Sequence, residues 1–192
     1  MKFVEKDSLA IYIALGANMP SLAGSPQETL LAALNALARE GLEIVAVSRF
    51  YKTPAFPAGS GPDYVNACAK VKSRLAPNAI LATLHAVEAQ FGRVRAARWA
   101  SRGIDLDLLA VGGTVLPDAH TQAEWRALPL EQQMQRTPEG LILPHPRAHE
   151  RGFVLIPLAD IAPDYVDPVS GMGINALIAA LPEAEKDAIA AI

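Results

Sequence analysis

Apolar and polar positions along this chain alternate, cluster and spread in ways that mark its elements before any residue is given a role. Leu9 to Leu15 is a short apolar run, which predicts a buried strand ending at Gly16-Ala17-Asn18. Ser25-Pro26-Gln27-Glu28 then reads as a helix start: Ser25 caps, Pro26 suits the first helical position, and Glu28 completes a capping box. Leu30, Leu31, Leu34 and Leu37 follow at helical spacing, and Gly41 suits the stop. Glu43 to Thr53 predicts a strand with Val45, Val47, Arg49 and Tyr51 on one face. Residues 53–62, TPAFPAGSGP, hold three prolines and two glycines and predict a loop.

Val65 to Ser73 predicts another strand, with Val65, Ala67, Ala69 and Val71 alternating. Pro77 to Phe91 predicts a helix ended by Gly92, and Arg93 to Gly103 a polar loop. Ile104 to Val111 reads as a strand. Residues 112 to about 143 have no clear period, although LEQQMQ suits a short helix. Phe153 to Leu158 reads as a last central strand, and residues 173–192 as a C-terminal helix. The order β-α-β-β-α-β resembles the ferredoxin-like arrangement. It predicts an α+β fold: an antiparallel sheet with both helices packed on one face. With no internal repeat and no linker, residues 1–192 are read as one domain.

Composition supports a folded chain. It has 192 residues, 51% of them hydrophobic and 19% charged, enough for a sizeable core. A net charge of −3 argues against a nucleic-acid binder that relies on a global basic field, but allows a local pocket for a small anion. The one cysteine, Cys68, has no internal disulfide partner, which fits a reducing compartment. The N-terminus lacks a signal-peptide core and no run is long enough to span a membrane. The expectation is a soluble cytoplasmic protein without membrane or nucleic-acid partners.

The chemistry centres on SRGIDLDLL. Alternate strand residues share a face, so Asp105 and Asp107 project together while Leu106 and Leu108 point the other way. Carboxylates with Cα atoms roughly 6–7 Å apart repel one another, and burial without a partner costs several kcal/mol. A divalent cation resolves the conflict, and Mg²⁺ suits one or two carboxylates plus phosphate oxygens. A wet face of an edge strand resolves it equally well. Arg93, Arg95, Arg98 and Arg102 lie just before the pair and favour the cation, because guanidinium groups clamp the outer oxygens of a polyphosphate. Trp99 is either a core anchor or a cover for a flat aromatic ligand. Tyr64 and Asn66 share a strand face, where Asn66 suits a heterocycle with amide-like edges or a plain strand-edge bond. His145 and Arg151 could reach phosphates, or be structural. Glu88 shares a helix face with His85, and the plain reading is a surface pair.

Six segments in order resemble the 6-hydroxymethyl-7,8-dihydropterin pyrophosphokinase family: IALGAN, SRFYKTPAF, GPDYVNA, LHAVEAQFGRVRAARW, SRGIDLDLL and LPHPRAHERGFVLIPLADIAP. The resemblance runs from about Ile11 to Pro168. It implies transfer of the β,γ-diphosphate of ATP to the pterin hydroxymethyl group, with release of AMP, in folate biosynthesis. It implies two Mg²⁺ ions on Asp105 and Asp107, and ATP as co-substrate. Arg93, Arg98 and Arg102 match arginines of a mobile loop that closes over the site, Arg102 foremost as a phosphate ligand. His145 and Arg151 match a phosphate-binding pair, and Glu88 an acidic residue near ATP. Tyr64, Asn66, Trp99 and Phe153 match the pterin pocket, with backbone help around Thr53, Pro54 and Phe56. The loops 53–62 and 93–103 are then candidate lids.

The chain also departs from the family pattern. Ala17 stands where a serine is familiar, Pro57 where glycine is common, and Ala96-Ala97 in a stretch that is often charged. The arginine loop is one residue shorter, and extra sequence fills about 118–139. Two other readings use the same residues: a metal-dependent nucleotidyl- or glycosyl-transferase built on the D-x-D pair, and a non-catalytic ferredoxin-like module that binds a small ligand.

Overall fold

The computed structural model describes residues 9–55, 61–92 and 103–192. The first strand, β1 (Ile11–Ala17), leads to helix α1 (Pro26–Arg39). The helix opens on the anticipated capping box: the Glu28 N–H donates to Ser25 Oγ, and the Ser25 N–H to Glu28 Oε2 at 2.8 Å. Gly41, at a φ of +86°, takes the left-handed turn that ends the helix.

The strand expected over 43–53 is two strands, β2 (Glu43–Val47) and β3 (Tyr51–Thr53). Ser48 breaks it. Its hydroxyl accepts the Cys68 N–H and donates to the Arg49 carbonyl, taking the place of a ladder bond. A register shift between Ile44 and Ala46 adds a kink. The shared face expected for Val45, Val47 and Tyr51 therefore does not form: both valines are exposed and Tyr51 is buried.

β4 (Tyr64–Lys72), α2 (Pro77–Gln90) and β5 (Asp105–Val111) complete the anticipated βαββαβ order, its second strand divided into β2 and β3. The sheet is antiparallel, with β5 beside β1 and β1 beside β4; β2 and β3 both pair with β4. Ile13, Leu15, Leu106 and Leu108 share one apolar layer with Leu30, Leu34 and Leu37 of α1 and Ile80, Leu84 and Val87 of α2.

The opposite face is covered too. Residues 152–161, expected as the last central strand over 153–158, form helix α5 (Gly152–Ile161). A short, continuous apolar run does not distinguish a strand from a buried helix by period. Pro157 argues against a central strand, because it has no N–H for a ladder. Val154, Leu155 and Leu158 pack with Tyr12, Cys68, Leu109 and Ala110, joined by Ile174 and Leu177 of helix α6 (Ile174–Ala179). The C-terminal helix expected over 173–192 is broken after α6 by Leu181-Pro182. It continues as α7 (Glu183–Asp187) and a short strand, β6 (Ala190–Ala191), paired with β3.

The extra sequence folds as α3 (Ala119–Ala127), capped by Asp118, and α4 (Leu130–Gln135), which matches the helix expected for LEQQMQ. Arg136 stacks on Trp125, 5.2 Å from the ring centroid.

Candidate active site

Directly opposed residues of neighbouring strands project to the same face of a sheet. Asn66 of β4 lies opposite Gly16 of β1, and Gly16 opposite Asp105 of β5. Cys68, Ala14 and Asp107 form the next row. The two aspartates therefore face away from the α1/α2 layer, as the alternation requires, and both are partly exposed. Gly16 is small for a reason: a Cβ there would sit 2.9 Å from Asn66 Oδ1. Its absence lets the asparagine lie across the neighbouring strand.

Thr53 and Tyr64 are partners in the β3–β4 ladder, and Tyr51 is the partner of Asn66, so these side chains join the same face. Asn66 is buried and its Nδ2 donates to Thr53 Oγ1 at 2.8 Å, which leaves Oδ1 as the acceptor toward the site. Pro54 follows β3 as an exposed loop residue. Asn18, also buried, donates to the Pro62 carbonyl and ties down the far end of the 53–62 loop.

The opposite wall is the turn before α5. The His145 N–H donates to the Leu109 carbonyl at 2.8 Å, and His145 Nδ1 accepts the Arg147 N–H at 3.1 Å. An accepting Nδ1 places the ring proton on Nε2. Burial, aided by the Arg151 charge, pushes the His145 pKa down to about 3, so the imidazole is neutral near pH 7. Arg151 Nη1 lies 3.7 Å from Asp107 Oδ2, and its guanidinium stands 5.6 Å from the Phe153 ring centroid. Burial lowers the Arg151 pKa from its ordinary value, against the pull of Asp107. Phe153 itself is 38% exposed, an uncovered aromatic face beside the site. Arg147 pairs with Glu150.

Glu88 is not the surface residue that a pair with His85 would make it. It is 1% exposed, and its Oε1 accepts the Leu106 N–H at 2.8 Å. The α2 carboxylate thus holds the strand between the two aspartates. Arg93, Arg95, Arg98, Trp99, Arg102 and Phe56 lie outside the described residues. The chain also contains positioning groups that carried no signal in the pattern reading. Asn18 and Gly16 stand in IALGAN, whose likeness to the family pattern is the only hint of them. Glu185 of α7 accepts the Gly152 N–H at 2.6 Å, capping α5 from 33 residues away.

The described donor set fits a hard cation. Asp105 and Asp107 offer only oxygen, and no cluster of three His, Cys, Asp or Glu stands among the described residues. Two carboxylates without soft ligands suit Mg²⁺ completed by water and phosphate oxygens.

Comparison with known proteins identifies the family. Residues 12–163 match the family model of 7,8-dihydro-6-hydroxymethylpterin-pyrophosphokinase. A Synechocystis 2-amino-4-hydroxy-6-hydroxymethyldihydropteridine pyrophosphokinase is 37% identical over 86% of this chain and 73% of its own. Its Pseudomonas aeruginosa counterpart is 36% identical over 90% of this chain and 91% of its own. Among solved structures, wild-type Plasmodium falciparum HPPK-DHPS with SDX-DHP superposes with a TM-score of 0.63 at 15% identity, over 92% of this chain. This chain spans only 45% of that longer one, and at this identity the likeness concerns the fold.

Proposed function

Because the chain belongs to the 7,8-dihydro-6-hydroxymethylpterin-pyrophosphokinase family, we propose that the open end of its sheet, around Asp105 and Asp107, is the catalytic centre. The protein transfers pyrophosphate from ATP to 6-hydroxymethyl-7,8-dihydropterin in folate biosynthesis. One P–O bond to the AMP oxygen breaks, one forms to the pterin hydroxymethyl oxygen, and the hydroxyl proton is released. The observation that carries the site is one juxtaposition. A single sheet face brings together Asp105, Asp107 and Asn66, and the turn carrying His145 and Arg151 lies against it.

Each residue has a part in this reading. Asp105 and Asp107 would hold Mg²⁺, two ions in the full complex. When bound, the metal supplies charge neutralisation along the polyphosphate and favours the ionised hydroxyl. Neutral His145 donates its Nε2–H to a phosphate oxygen, and Arg151 adds a charge-assisted contact beside Asp107. Arg93, Arg98 and Arg102 close from the preceding loop and exclude water that would otherwise hydrolyse ATP. Tyr64, Asn66, Trp99 and Phe153 hold the pterin, with Asn66 Oδ1 accepting from its heterocycle and Thr53, Pro54 and Phe56 lining its edge. Glu88 acts through the strand it anchors. Catalysis is then positioning and electrostatics, with no dedicated protein base. Residues 1–192 work as one domain in the cytoplasm. Among the described residues no helix is long and apolar enough to cross a membrane.

AMP release is the test. With ATP and Mg²⁺, AMP forms only when 6-hydroxymethyl-7,8-dihydropterin is added, and the pterin diphosphate appears in equal amount. Pterin-independent ATP cleavage overturns the reading. So does nucleotide release matching a nucleotidyl- or glycosyl-transferase, or ligand binding without turnover.

A further inference from the structure

We propose that the extra segment at 118–139 is a brace for the catalytic turn, and that Gln122 is a positioning residue for His145. The inference rests on the reading of His145 as a phosphate ligand. Gln122 and Arg126 stand four residues apart on α3 and so share a helix face. Gln122 is 0% exposed, and its Nε2 donates to the Pro144 carbonyl at 3.2 Å, one residue before His145. Arg126 Nη2 meets Asp167 Oδ2 at 2.5 Å in a pair that is almost fully covered. Asp167 also accepts from the Val169 N–H and the Ser170 hydroxyl, so the arginine is tied to a hydrogen-bonded loop beyond α5. Between these anchors Arg126, His145, His149 and Asp167 line a cavity of about 10 Å³, the size of one water.

The reason to assign positioning rather than packing lies in the chemistry of Gln122. An amide brought wholly out of water loses its hydration and recovers it only through directed bonds. Leucine or methionine would fill the same space at lower cost. What the amide adds is a fixed direction at the Pro144 carbonyl. The turn has two further restraints: the His145 N–H on the Leu109 carbonyl, and the paired bonds between Leu116 and Leu143. Both tie it to residues 109–116, on and just after β5. Gln122 restrains it from outside, through a helix that is itself locked to Asp167. With all three in place the imidazole keeps Nδ1 on the Arg147 N–H and therefore its proton on Nε2.

The test is a double-mutant cycle read in steady-state kinetics of the full chain with ATP, Mg²⁺ and the pterin. Gln122→Met keeps the side-chain volume and removes the donor. It is expected to raise KM for ATP about five- to tenfold, the size of one hydrogen bond, while KM for the pterin stays unchanged. In a His145→Ala background the same substitution is expected to add nothing, because its effect passes through the histidine. Arg126→Met should act in the same direction, and Arg126→Lys should restore part of the loss. Circular dichroism identifies any variant that fails to fold, and Gln122→Met and Arg126→Lys are the milder pair. Equal effects of Gln122→Met with and without His145, or a parallel rise in both KM values, overturn the brace. So does an unchanged KM for ATP in Gln122→Met where His145→Ala raises it. An unchanged KM for ATP in His145→Ala overturns the phosphate-ligand reading as well.

Discussion

On one side of β5, Leu106 and Leu108 sit in a dry layer with Leu84 and Val87; on the other, Asp105 and Asp107 face Arg151 and the row through Gly16 to Asn66. The same strand presents both, and its residues alternate between a layer sealed by two fourteen-residue helices and one covered by the ten-residue α5. Helix α5 covers Tyr12, Cys68, Leu109 and Ala110, at one end of the sheet only. The other end keeps polar side chains within reach of solvent. Stability and chemistry are thus separated by half a strand period, and substitutions on the two sides should fail in different ways.

The largest expected effect is on the polar side. Asp107→Ala should lower kcat on the order of 10³-fold, since several kcal/mol of charge stabilisation depend on it, and leave the unfolding midpoint nearly unmoved. Near-normal turnover at saturating Mg²⁺ would remove the contrast. Leu106→Ala should do the reverse. It opens a cavity in a side chain that is 2% exposed and should cost about 2–5 kcal/mol in urea unfolding, with kcat per folded molecule little changed.

A further effect concerns pH. His145 resists protonation in the fold, down to about 3, whereas in the unfolded chain it protonates near its ordinary value of 6.5. As pH falls through that window the unfolded state gains the proton first, so native stability declines. Thermal unfolding across the window should show that decline, and His145→Gln should flatten it. A wild-type slope retained in the variant would mean that His145 is as easily protonated in the fold as outside it.

The elements around this contrast differed in how plainly the residues announced them. The α1 capping box, the alternation of β5 and the βαββαβ order follow from local chemistry, and the structure has them. The shared face of Asp105 and Asp107 needed nothing beyond period two. Helix α5 reads as a strand because FVLIPL is apolar at every position, and burial on a sheet face erases the period that would mark a helix. The break at Ser48 depends on a bond to Cys68 twenty residues away, and the burial of Glu88 on a backbone N–H in another element. Neither partner can be inferred from neighbours in sequence. Gln122 is the extreme case, a polar residue in a segment without period whose purpose is visible only beside Pro144.

The register shift between β1 and β5 has one more consequence. Ile13 pairs with Leu108 and Tyr12 with Ala110, so Leu109 is supernumerary, and its carbonyl is the peg for the His145 N–H. The ladder therefore has two segments with separate tolerance for length variation. Losing Leu106 ahead of the shift would make the two acids sequence neighbours and turn one of them through the sheet toward hydrocarbon. Losing Leu109 would straighten the ribbon, keep the acids where they are, and leave the histidine turn without its mooring.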